Sequence, residues 1–328
     1  MLSLRRGRIT AVVERHEGLA RLEVDGTPCI AYPRLTGPIA LGDDVLVNVQ
    51  ARVLHLGSGG FDVLYANLTR GLELAASEGA HVMKLPYTPL QFATRHGEED
   101  SALSERLNGM PVVACSLHSQ VAPVCAALVG LRVAYVQLAG GALPLALSDA
   151  TRELRRRELV RLTIGAGACF GGDAEAVNIY SALALAHAQE AQVAVCAIGP
   201  GIVGTGSRLG HGGMAAAEAL AATVGLGGRA VLAVRMSAGD SRGRHRGVSH
   251  HAEAVLSGQA GLVDVAWPRG CPFEHALADR ATEVDVTDWR EACAGLTLEH
   301  MGRGPDDDPW FFAAAFAAGR LARQLCEA

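Results

Sequence analysis

Apolar and polar positions along the chain change rhythm once, near residue 111. Before that point the apolar residues come in short alternating runs. Residues 8–15 are rich in Ile, Thr and Val, residues 20–24 alternate, and Asp25-Gly26 between them and the run 28–32 is a hairpin signal. Pro33, Gly37 and Pro38 interrupt the pattern, Gly42-Asp43-Asp44 turns the chain, and residues 45–53 alternate again. Four or five short strands with tight turns predict a small β-barrel-like domain over residues 1–66. Residues 67–110 follow as a less regular bridge in which Pro86 and Pro89 forbid a continuous helix.

From residue 111 onward, continuous apolar runs of strand length alternate with helical patterns. The runs are 112–115, 132–138, 160–164, 193–198 and 230–236, with weaker ones at 263–267 and 283–286. Helices are predicted at 121–129, after a Ser148 or Asp149 cap, from an Asp173 cap to about residue 190, at 213–224, from about His250, and at 309–326. Strands without polar alternation are buried on both faces. Their regular exchange with helices predicts a doubly wound, mainly parallel α/β sheet domain over residues 111–328.

Composition agrees with a packed two-domain chain. Of 328 residues, 49% are hydrophobic and 19% charged, so the chain can bury a core rather than remain disordered. Aromatics are only 5% and the net charge is -5, which argues against nucleic acid and anionic lipid as partners. The eight cysteines show no C-x-x-C pair, so they are expected to be reduced thiols of a cytoplasmic protein rather than zinc ligands or a dithiol. The N-terminus lacks a signal-peptide pattern and no apolar run is long enough to span a bilayer. The small-residue helix 309–326 is a candidate surface for a second copy of the chain.

In open parallel sheets, ligands bind outside the carboxyl ends of the strands. The segments that follow the predicted strands are the unusual ones. The loop Gly199–Gly213 carries Gly199, Gly201, Gly204, Thr205 and Gly206, and glycines let backbone N–H groups approach an anion. Gly199, Gly201 and Gly204 match G-x-G-x-x-G, but no acidic residue follows at the spacing a dinucleotide fold needs, and the absence of Lys excludes a Walker loop. The loop 237–251 carries Asp240, Arg242, Arg244, His245, Arg246, His250 and His251, residue types that bind phosphate or carboxylate and move protons. Asp173 and Glu175 in the third loop, His118 after the first strand, and Lys84 in the bridge complete the candidate list. Asp240 and the histidines could also hold a divalent metal.

The stretches His81-Val-Met-Lys-Leu-Pro-Tyr-Thr-Pro89, Phe170-Gly-Gly-Asp-Ala-Glu-Ala-Val-Asn178, Gly199-Pro-Gly-Ile-Val-Gly-Thr-Gly206, Arg244-His-Arg-Gly-Val-Ser-His-His251 and Met301-Gly-Arg-Gly304 resemble, in order and over nearly the whole chain, the bacterial domain-of-unknown-function family 3866. The resemblance implies bacterial origin and a cytoplasmic location, but no reaction. The family pattern has Thr after the His pair, where this chain has Ala252.

The functional expectation is an enzyme, a hydrolase or group transferase, acting on a small anionic, phosphate- or nucleotide-like substrate. His245, His250, His251, Asp240 and His118 are its candidate catalytic groups. The substrate-binding candidates are Gly199, Gly201, Gly204, Thr205, Gly206, Arg242, Arg244, Arg246, Asp173, Glu175 and Lys84. The alternative is a ligand sensor without chemistry that signals through the N-terminal β domain.

Overall fold

The computed structural model describes residues 2–55, 60–75, 77–100, 102–257, 259 and 262–327. It divides into two compact units, Met1–Arg95 and His96–Ala328. The division falls inside the bridge, so residues 67–95 belong to the first unit and residues 96–110 to the second.

The first unit is a closed five-stranded barrel. Its elements are β1 (Leu4–His16), β2 (Leu19–Val24), β3 (Thr27–Ala31), α1 (Pro33–Thr36), β4 (Asp44–Asn48), α2 (Gln50–Val53) and β5 (Asp62–Asn67), closed in the order β1-β2-β3-β5-β4. Alternate residues point inward: Leu22 and Val24 of β2 and Val45 and Val47 of β4 are buried with Ile9 and Leu64. The expected strand over 45–53 stops at Asn48, because its last residues turn into α2. Two buried carboxylates are paired, Asp62 with Arg52 at 2.9 Å and Asp43 with Arg70 at 2.7 Å. A hairpin of β6 (Val82–Lys84) and β7 (Phe92–Thr94) ends this unit, and Lys84 is buried in it.

The second unit contains β8 (Pro111–Cys115), α3 (Val121–Ala127), β9 (Val133–Leu138), α4 (Asp149–Arg156), β10 (Leu162–Ala166), β11 (Ala174–Ala176), α5 (Ile179–Ala188), β12 (Val193–Ile198), α6 (Ala215–Gly225) and β13 (Arg229–Ala233). Then come β14 (Met236–Ser237), β15 (Gly247–Val248), α7 (His250–Leu256), β16 (Asp264–Pro268), β17 (Thr282–Val284), α8 (Trp289–Ala292) and α9 (Pro309–Glu327). Eight strands form one parallel sheet in the order β11-β10-β9-β12-β8-β13-β16-β17. The expected α/β fold with an N-terminal β-barrel is therefore present.

Side chains alternate between the two faces of this sheet. Val113, Tyr135, Val195 and Val231 pack with α3, α4, α8 and α9, whereas Val112, Ala134, Cys196 and Leu232 pack with α5, α6 and α7. Connections from β8 and β9 thus leave toward one face and those from β12 and β13 toward the other. The chain reverses its strand order around β8 and β12, which opens a crevice at their carboxyl ends.

Two local expectations change. Asp173 does not cap a helix: it precedes the edge strand β11, and the cap of α5 is Asn178, whose side chain accepts from Ser181 N at 3.1 Å. Helix α9 is buried over most of its length against α3 and the sheet, so its small residues serve the core rather than an outer surface. No described helix is long and apolar enough to cross a membrane.

Candidate functional site

The rim is built by three loops at neighbouring strand ends. After β13, the chain runs through Arg235 into β14, turns, and returns in β15, so residues 236–248 form a small antiparallel hairpin. Its base is pinned by Ser249 N–H donating to the Arg235 carbonyl at 2.9 Å. Ser249 then caps α7, accepting from His251 N at 3.2 Å. This fold-back places the start of α7 beside the end of β13.

Four imidazoles converge there. Rings of His245 and His250 lie 4.8 Å apart by centroid, His250 and His251 4.5 Å, and His245 and His251 4.8 Å. His250 and His251 are neighbours in sequence and would diverge in mid-helix, yet they converge with His245 in the first turn of α7. His211, from the loop after β12, stacks on His251 at 3.6 Å. His245 Nδ1 is 2.7 Å from Ser249 Oγ, and Arg235 donates to His251 Nδ1 at 3.2 Å. His211 Nε2 lies 3.1 Å from the Arg208 carbonyl, so it carries the proton and Nδ1 holds the lone pair.

A buried ionic hub supports the cluster. Asp240 and Arg235 are each 1% exposed. Asp240 receives Arg242 in a bidentate pair at 2.9 and 2.8 Å, and Arg235 and Arg303 each at 3.3 Å. Asp308 accepts from Ser237 Oγ at 2.5 Å, from Ala238 N at 3.0 Å and from Arg303 Nε at 3.2 Å. Burial alone would raise the Asp240 carboxyl. The hydrogen bonds from Arg242 and the charges of Arg242 and Arg235 outweigh it and hold the group well below the usual carboxylate range. Asp240 is therefore a permanent anion that fixes arginines, not a proton donor. Burial lowers Arg235 to about 10 against the opposing charge of Asp240, so it stays a cation at neutral pH.

The histidines are neutral at the same pH. Burial, followed by the charges of Arg235 and Arg242, pushes His245 down to about 3. Burial, with His211 and Arg235 next, pushes His251 to about 2. His250 is lowered by burial and then by the charges of Arg244 and Arg235, with Arg208 adding to them. Each neutral ring keeps one lone pair, and that of His251 Nδ1 is taken by Arg235. Within the same region, His211 Nδ1, His250 Nε2 and Arg235 Nε are buried and have no hydrogen-bond partner. At the mouth, Arg208 and Arg244 are exposed and form no ion pair among the described residues. Arg244 is adjacent to the glycine loop, its terminal nitrogen 3.6 Å from where a Gly206 Cβ would stand.

The glycine loop therefore meets the Arg/His loop. Gly204 bridges to His211, and Thr205 N–H closes on the Gly210 carbonyl at 2.9 Å, so the loop is a hairpin that delivers His211. Several of its glycines serve close backbone packing on the β9 loop. A Cβ on Gly199 would stand 2.1 Å from the Ala142 carbonyl, and one on Gly212 would stand 1.9 Å from the Gly140 carbonyl. Gly201 is exposed at the turn, with φ 76°. A cavity of about 430 Å³ adjoins His211, floored by Leu138 and Gly167 and walled by Asn178, Met214 and Glu218.

Of the other predicted residues, Asp173, Glu175 and Lys84 stand elsewhere, whereas His118 and Arg246 lie at the rim outside the histidine cluster. Asp173 accepts from Thr163 N at 2.8 Å at the amino ends of β10 and β11, and it pairs with Arg155, away from the carboxyl rim. Glu175 accepts from Gly171 N at 2.7 Å in the edge strand, three strand spacings, roughly 14 Å, from β12. His118 joins strand ends: Nδ1 lies 3.2 Å from the Ile198 carbonyl and Nε2 2.6 Å from Ser148 Oγ. Both ring nitrogens are engaged, and burial pushes it down to about 4. Arg246 is exposed just after the His245 turn, and Lys84 belongs to the first unit.

The residues that sequence reading missed are Arg235, Arg303, Asp308, His211 and His300. Arg235 is hidden at the end of an apolar run. His300 precedes the Met301-Gly-Arg-Gly304 stretch and Arg303 lies within it, a motif in sequence that carries no chemical signal by itself. The pairing of His300 N with the Arg303 carbonyl at 2.8 Å and of Ser119 Oγ with His300 Nδ1 at 3.2 Å brings that distant segment to the rim.

Fold and rim together define a parallel α/β protein with a buried arginine–aspartate hub under a cluster of neutral histidines. The chain belongs to the family described as protein of unknown function (DUF3866), whose model matches residues 28–319. No curated protein matches it.

Proposed function

We propose that the second unit binds a small phosphate- or nucleotide-like anion at the carboxyl rim of β12 and β13 and acts on it as a hydrolase or group transferase. The observation that carries this reading is one of incomplete pairing. Exposed Arg208 and Arg244 lack ion pairs among the described residues, over His211 Nδ1, His250 Nε2 and Arg235 Nε, which are buried without partners. Leaving a buried polar group unmet costs about 1–3 kcal/mol, so such a set persists where a ligand completes it. The anion would sit against the arginines, which charge-assisted hydrogen bonds favour. Beneath it, His211 Nδ1 and His250 Nε2, which have no hydrogen-bond partner, are the proton-handling groups of the site. The body of the ligand would extend into the cavity beside His211. Arginine side chains rather than glycine N–H groups provide the anion contacts in this reading, because the loop's close backbone contacts already account for Gly199 and Gly212.

The eight cysteines, six of them buried, fit a bacterial cytoplasmic setting. Native mass spectrometry of freshly purified protein tests the reading: a retained anionic small molecule supports it. With that molecule in hand, Arg244→Ala should weaken binding about tenfold. His250→Ala should leave binding to chelator-stripped protein within about threefold but reduce turnover by two orders of magnitude or more. Binding without turnover under every condition would identify a sensor instead. Binding that is indifferent to Arg208 and Arg244 would refute the placement of the anion.

A further inference from the structure

The histidine cluster has the donor set of a metal site. His245, His250 and His251 each offer one ring nitrogen, and these atoms lie within 4.8 Å of one another. A zinc-class ion holds imidazole nitrogens at about 2.0–2.1 Å, so tetrahedral ligand atoms stand roughly 3.4 Å apart. Small side-chain rotations close the difference. Metal-binding histidines usually have the second ring nitrogen oriented by a neighbour, and Ser249 Oγ at 2.7 Å from His245 Nδ1 supplies that support. His250 Nε2 is already free of any partner.

Two features oppose a metal bound alone. Arg235 donates to His251 Nδ1, which occupies that nitrogen's lone pair and leaves the ring proton on Nε2. Arg208, Arg235 and Arg244 surround neutral ligands with positive charge, and Asp240, the nearby carboxylate, is spent on three arginines. An anion removes both obstacles. It neutralises the arginines, and by accepting from Arg235 Nε or NH1 it draws the guanidinium off His251, so that the ring can turn a lone pair to the ion.

We propose that His245, His250 and His251 bind a zinc-class divalent cation only together with an oxyanion held by the surrounding arginines. The fourth coordination position is then taken by an anion oxygen or water. This rests on the anion reading above. Linkage makes the effect reciprocal: the factor by which the anion tightens the metal equals the factor by which the metal tightens the anion.

Cobalt(II) is the test ion, because its visible absorption reports tetrahedral coordination. Full-length protein stripped with chelator and desalted is titrated with cobalt, with and without inorganic phosphate. The expected result is one equivalent of tetrahedral cobalt with phosphate and at least tenfold weaker binding without it. Circular dichroism and thermal melts check that His245→Ala and His250→Ala are folded. Each should abolish the signal, while His275→Ala, outside the cluster, should keep it. Should the two cluster variants fail to fold, the phosphate dependence in the wild type still decides the matter. Cobalt binding of equal strength with and without phosphate overturns the proposal, as does binding retained in folded His250→Ala. Phosphate binding by calorimetry with no tetrahedral cobalt overturns the metal and leaves the anion reading standing. Binding of neither ends both.

Discussion

Asp240→Asn is the sharpest perturbation of the rim. The carboxylate is 1% exposed and holds Arg235, Arg242 and Arg303. The amide keeps the shape but removes the charge and turns an N–H₂ group toward guanidinium donors. Arg242 is partly exposed and can return to water, whereas Arg235 is 1% exposed and cannot. Removing one partner of a buried ion pair costs about 3–5 kcal/mol, because an uncompensated charge stays behind. For a unit of this size each kcal/mol moves Tm by about 2–4 °C, so the fall should be roughly 6–20 °C. Scanning calorimetry of the full chain reads it, provided the transition of the second unit is followed separately from that of the barrel. The double variant Arg235→Met with Asp240→Asn removes the stranded cation. It should recover at least about 1 kcal/mol relative to the sum of the single effects. A loss under about 1 kcal/mol for Asp240→Asn, or strict additivity in the double, would refute the hub as described.

Three further outcomes are expected. Stability should fall with acid. His118, His245, His251 and His300 are pushed down to about 4, 3, 2 and 3 in the fold, chiefly by burial, so they stay neutral while the unfolded chain takes up protons below its ordinary value near 6.5. Each should cost about 1 kcal/mol over the first pH unit below that value, with further loss down to the folded values; a flat Tm between pH 7 and 5.5 would contradict it. Gly212→Ala places a Cβ 1.9 Å from the Gly140 carbonyl and should cost about 1–3 kcal/mol while weakening anion binding through His211, and unchanged urea unfolding would show that the loops are not in contact as described. Asp173→Asn should lower stability by about 1 kcal/mol through Arg155 and Thr163 and leave anion affinity within twofold; a larger affinity loss in calorimetry would return Asp173 to the site.

Much of the architecture is legible because buried parallel strands leave unbroken apolar runs, as in residues 112–115 and 193–198, and helices leave a 3.6-residue period. The place of the rim follows from the same pattern, since loops at strand carboxyl ends are named as soon as the strands are. Local errors arise where two signals compete. Gly171-Gly172-Asp173 reads as a helix start, but the chain first adds a three-residue edge strand, and Asn178 makes the cap. Partners distant in sequence are invisible to periodicity. Nothing near Asp240 announces Arg303 or Asp308, and Arg235 looks like the tail of a strand. His118 illustrates the converse: its sequence setting suggests chemistry, whereas its two engaged nitrogens tie β8 to β12 and to the cap of α4.

Hydrogen–deuterium exchange of the full chain with and without pyrophosphate tests the location of the anion most directly. Protection should appear together in residues 199–213 and 237–251, two loops joined by the His211–His251 stack, with no change in residues 171–176, which lie outside the cavity lining. Protection confined to the β10–β11 edge or to the barrel, with both rim loops unaffected, would contradict the account.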